Sequence, residues 1–105
     1  MLRVVERTLG EGAIHRDGSP LAQVGYELTL YRKWVDEGGT LVPRHFEVEG
    51  HVLAAPGVLD PLLGTASPLT LHLDDGRRVD LYLVNTDGVV TSADERGFYG
   101  RHSAG

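Results

Sequence analysis

Residues 22–35 read Ala22-Gln23-Val24-Gly25-Tyr26-Glu27-Leu28-Thr29-Leu30-Tyr31-Arg32-Lys33-Trp34-Val35. Val24, Tyr26, Leu28, Leu30 and Trp34 fall on one face at a period of two. Gly25, Glu27, Thr29, Tyr31 and Lys33 fall on the other. Successive side chains of a strand point to opposite faces, so this is a half-buried β-strand and not a helix. Arg32 breaks the apolar face near its end.

The next run, Thr40 to Val52, alternates in the same way and follows Glu37-Gly38-Gly39. A three-residue loop there sets Trp34 against Val42, Leu30 against Phe46, Leu28 against Val48 and Val24 against Val52. A slip of one residue exchanges the faces and places Leu30 beside His45, so burial favours the three-residue loop. A loop of the same length at Asp74-Asp75-Gly76 pairs Leu71 with Val79 and Leu69 with Leu81. It also sets His72 beside Arg78 and Thr70 beside Asp80 on the outside. The register of the last hairpin, through Asn85-Thr86-Asp87-Gly88, stays open.

Working outward, Leu2 to His15 is a first strand, with Gly10 and Gly12 predicting a bend or bulge. Asp17-Gly18-Ser19-Pro20 is a turn. Asp60, Pro61 and Gly64 mark the cap, first position and stop of a short helix between the third and fourth strands. The reading is therefore all-β: a small antiparallel barrel or roll, with one domain over residues 1–96. Residues 97–105 form a flexible, Gly-rich tail. Three strands in a meander, a short helix and then two or three strands resemble the strand order of the five-stranded OB barrel. That resemblance is topological and does not assign a function.

Composition removes several function classes. The 105 residues contain no cysteine, so disulfides and thiolate metal sites are absent. This suits a reducing cytoplasm. The formal charge is −5 and Lys33 is the single lysine, which argues against a nucleic-acid partner. The N-terminus, Met1 to Arg7, has no long apolar run and predicts neither a signal peptide nor a membrane span. No nucleophile elbow, phosphate loop or dinucleotide fingerprint occurs, so no enzyme activity and no cofactor are expected. Asp74-Asp75-Gly76 and Asp87-Gly88 lack the calcium-loop pattern and read as turns.

Two surface sets remain. Glu27, His45, Glu47, Glu49 and His51 share an outward face and form the candidate ligand face. The preferred register places Glu27 opposite Glu49, a repulsion that a cation or an arginine such as Arg3 or Arg7 could relieve. His45 and His51 start about 20 Å apart at ~3.3 Å per residue, so this row cannot close on one ion as a whole. The reading is a polar face without a metal. The second set, Tyr31, Val35, Leu41, Pro43 and Tyr82, is the candidate partner contact, with a second copy or another protein as occupant. Three functions stand: a non-catalytic protein-binding or assembly module first, then a metal- or small-ligand-binding domain, then a single-stranded nucleic-acid-binding OB-like domain.

Overall fold

A computed structural model describes residues 1–64 and 67–100. Among the described residues it holds β1 (Leu2–Arg16), β2 (Ser19–Glu37), β3 (Thr40–Leu53), β4 (Leu69–His72), β5 (Arg78–Leu83) and β6 (Val89–Ser92). Neighbours are antiparallel throughout, in the order β1-β2-β3-β6-β5-β4. The sheet closes because β4 also pairs with β1, at Ala13–His72, Ile14–Leu71 and His15–Thr70. No described helix is long and apolar enough to cross a membrane.

The interior is one cluster. Leu28, Leu71, Val48, Val52 and Val79 are all under 2% exposed, and Leu30, Leu69 and Leu81 join them. Between β3 and β4 the chain makes a single 3-10 turn, Asp60–Leu62, less than the short helix read from sequence. Leu59, not Asp60, occupies the cap position and makes no side-chain cap bond. Leu59 and Leu62 are buried with the core, so this turn closes over apolar side chains.

Two hairpins test the loop-length argument. The β4–β5 register is as expected: Leu71–Val79, Leu69–Leu81, His72–Arg78 and Thr70–Asp80 are all paired. The β2–β3 register is not. Its loop has two residues, Gly38 and Gly39, with φ of +63° and +87°. Both central positions of such a turn need positive φ, which glycine adopts without strain. A two-residue loop alone would reverse the faces, and a bulge corrects this. Two residues of β3, Arg44 and His45, stand against the single Lys33 of β2. Beyond the bulge Leu30 meets Val48 and Tyr26 meets Val52. The inward faces are those expected, but each partner lies two residues away from the predicted one.

Gly10 and Gly12 do not bulge; the β1–β2 register runs unbroken from Leu9–Glu27 to Ala13–Gln23. They provide room instead. A Cβ at Gly12 would strike the His72 carbonyl oxygen, and one at Gly10 would lie 2.6 Å from the Tyr26 hydroxyl. The register shifts fall elsewhere, with Val5 the extra residue in β1 and Leu21 in β2.

The sheet closes over only part of its length. β6 reaches β3 only at Glu49–His51, and β4 reaches β1 only at Ala13–His15. Residues 1–5, 31–37 and 40–45 therefore continue as a three-stranded arm beyond the closed body. The molecule measures 49 × 35 × 22 Å with a radius of gyration of 14.6 Å. A compact chain of this length would have about 13 Å.

The first residues of the expected tail pack on the body. Tyr99 exchanges backbone hydrogen bonds with Arg78 at 2.7 and 2.8 Å, and Phe98 packs against the core. Residues 97–100 are thus docked, which corrects that part of the predicted tail. Residues 101–105 lie outside the described residues.

Candidate functional site

The acidic row keeps its face but changes its neighbours. Glu27 lies opposite His51, and Glu49 lies opposite Thr29. The predicted Glu27–Glu49 repulsion is therefore absent from the register, because the pairing moved by two residues. Arg7 pairs across from Thr29, which brings a guanidinium to the same row. Arg7, Glu27, Tyr31, Glu49 and His51 line an open depression of about 540 Å³, floored on one side by Val89–Thr91. His45 lies in the bulge and turns away to Glu47, with Nε2 3.0 Å from Oε1. Among the described residues no three His, Asp or Glu side chains gather where one metal ion could be held. The depression offers mixed charge and polar contacts but no paired nucleophile and base.

The partner set is divided by the same bulge. Paired residues share a face. Tyr31 pairs with Val4, and Val35 with Val42, on the outward face. Trp34 pairs with Pro43, and Asp36 with Leu41, on the opposite face. Leu41 and Pro43 therefore leave the group to which sequence assigned them. Tyr82 is 40% exposed but sits on β5 opposite Thr91, away from the arm. What gathers instead is the N-terminal end of β1: Leu2, Val4 and Val5 are each about half exposed. In the sequence these residues read only as part of the first strand.

Other polar sites join residues far apart in the chain, and no local pattern announces them. Arg77 grips Glu6 through two bonds of 2.9 and 2.6 Å and Asp75 at 2.8 Å, beneath the ring of Phe98. The Glu6 bonds, offset in part by burial, hold its guanidinium firmly charged. Asp80 accepts from Tyr99 at 2.7 Å, Thr70 at 2.9 Å and Arg96 at 2.6 Å, tying the docked C-terminal segment to β4 and β5. Tyr26 donates to Asp74 Oδ1 at 3.0 Å and accepts from the Asp74 N–H at 3.1 Å. Burial raises the Tyr26 pKa, and the Asp74 carboxylate adds to the rise. These three sites are internal staples.

His15 and His72 stack at 3.8 Å across the β1–β4 seam. Burial, then His15, then Arg78 lower the pKa of His72. Arg78, paired across from His72, is the smallest of these three causes and burial the largest. Below about pH 6.5 the unfolded chain takes up a proton at His72 that the folded chain resists. Stability should therefore fall as pH drops from that value toward the lower folded pKa, and level off below it. Urea unfolding at pH 7.5 and 5.5 checks this: the loss should be smaller in His72→Asn than in the wild type. Equal losses would show that the seam does not sense protonation.

No protein-family model matches the chain, and neither a curated protein nor a solved structure does.

Proposed function

We propose that the chain is a non-catalytic protein-binding or assembly module and that the arm is its contact surface. One observation carries this reading. A three-stranded sheet leaves the closed body with apolar side chains exposed on it, and among the described residues the outer edge of Leu2–Val5 in β1 has no strand beside it. Leu2, Val4 and Val5 are 46%, 52% and 53% exposed. Scattered exposed apolar residues need no explanation, but a contiguous group on an open-edged sheet marks an interaction site. The closed body supplies a rigid base, held by the Arg77 and Asp80 staples.

A small-ligand domain is the second reading, supported by the depression at Arg7, Glu27 and His51. The third, single-stranded nucleic-acid binding, rests on an OB-like barrel. The meander, the turn and the following hairpin suit it, and β1 is shared by β2 and β4 as a closed barrel requires. The charge of −5 weighs against that third reading. The cysteine-free composition fits a cytoplasmic setting.

Peptide selection tests the first reading. A random peptide library is panned on the wild type and counter-selected on a Val4→Lys/Val35→Lys variant with an unchanged melting temperature. Enriched peptides should bind the variant at least about tenfold more weakly, as expected when a contact patch is charged. Peptides that bind both proteins equally would remove the arm from the function.

A further inference from the structure

The arm differs from the body in charge as well as in exposure. Residues 1–5 and 31–46 contain Arg3, Arg32, Lys33 and Arg44 against Asp36 and Glu37. The arm is thus +2 on a chain of −5, so the remainder carries −7. Both arm carboxylates are already engaged at its tip. Asp36 accepts the Gly39 N–H at 2.8 Å, and Glu37 pairs with Arg44.

Arg3 and Arg32 have no ion-pair partner among the described residues. They are direct cross-strand neighbours. Like charges so placed repel, and an anion set between them would relieve the repulsion. Each guanidinium is also held in place. Arg3 lies 5.6 Å from the Trp34 ring centre and Arg32 lies 4.3 Å from that of Phe46. The buried Nε of Arg32 has no hydrogen-bond partner. Arg3 Nε donates to Met1 Sδ at 3.4 Å, and the terminal nitrogens of both guanidiniums are the donors left for a carboxylate.

Among the described residues only β2 lies beside this end of β1. Met1 and Trp34 exchange bonds of 2.9 and 2.7 Å, so they form a hydrogen-bonded pair. Hydrogen-bonded and non-bonded pairs alternate along an antiparallel ladder. Arg3 therefore turns its backbone groups toward β2, while Leu2 and Val4 turn theirs to the free edge.

We propose that the arm receives an extended acidic segment of a partner protein, added as a strand beside β1. Its carboxylates lie along Arg3 and Arg32, and its alternate apolar side chains lie along Leu2 and Val4. Main-chain bonds to an open edge supply affinity, and alternate side chains supply specificity. A second copy pairing through the same edge would set one +2 arm against another, so a separate acidic partner fits better. The proposal rests on the protein-binding reading and names the partner's chemistry.

Trp34 is the single tryptophan and lies under Arg3, so it reports on this face directly. The probe is a blocked alternating peptide of four Val-Glu repeats, titrated into the intact chain while Trp34 emission is followed. Emission should change saturably, and rising salt should weaken the binding. Arg3→Gln and Arg32→Gln should each weaken it about tenfold, with melting temperature confirming that both variants are folded. Arg3 is exposed, so the first variant keeps the test valid should the second fail to fold. Equal affinity for a Val-Lys peptide, no loss in Arg3→Gln, or preferential binding of oligothymidylate would overturn the proposal. Arm-dependent peptides without acidic residues would overturn it and leave the broader reading standing. Arm-independent peptides would remove both.

Discussion

Leu28→Ala is expected to lower the free energy of unfolding by about 2–5 kcal/mol, the range for a large aliphatic side chain removed from a tight core. Leu28 is 1% exposed and lies on the one strand that pairs with both β1 and β3. Its neighbours come from several strands of a closed sheet, so they are poorly placed to collapse into the space left behind. The loss should therefore fall toward the upper part of that range. Urea unfolding, with the slope compared to confirm two-state behaviour, measures it. A loss under about 1 kcal/mol would mean that the interior relaxes freely and is not close-packed.

Gly50→Ala should be costly for a different reason. Gly50 sits opposite Leu28 in the β2–β3 ladder. A Cβ there would overlap the Glu27 carbonyl oxygen and lie 2.9 Å from the Leu28 Cα. Those atoms are backbone and cannot swing aside, so the strands must part. A destabilisation on the order of 3 kcal/mol follows, the upper end of ordinary overpacking. Gly25→Ala is the control. Its Cβ would meet Leu53 Cβ at 3.7 Å, an ordinary contact. The added side chain should leave stability nearly unchanged or slightly raised through the unfolded state. Similar costs at the two sites would show that β2 and β3 do not approach as described.

Much of the fold was legible in the sequence because burial constrains parity. Val24, Tyr26, Leu28 and Leu30 could face only inward, and they do. The β4–β5 hairpin was readable to the residue because one loop length alone matched Leu69 and Leu71 with apolar partners. The β2–β3 hairpin has a two-residue error that parity cannot detect, since a shift of two preserves every face. The Arg44–His45 bulge is equally silent, and beyond it the faces of the arm reverse. That reversal is why Leu41 and Pro43 left the candidate contact set; Val4 joins Tyr31 through the β1–β2 register instead. The Arg3–Arg32 pair depends on a second shift, at Val5. The Glu6–Arg77 and Tyr26–Asp74 links span 71 and 48 residues and arise only from closure of the sheet. Local pattern carries no trace of them.

The most direct measurement is an amide NMR footprint, on the isotopically labelled chain, of a peptide selected for binding to the wild type. Shifts are expected to centre on Leu2–Val5 and Tyr31–Val35, including the side-chain N–H of Trp34, with Leu71 and Val79 unmoved. A footprint centred on Glu27, Glu49 and His51 instead would contradict this and make the depression on the closed body the binding site.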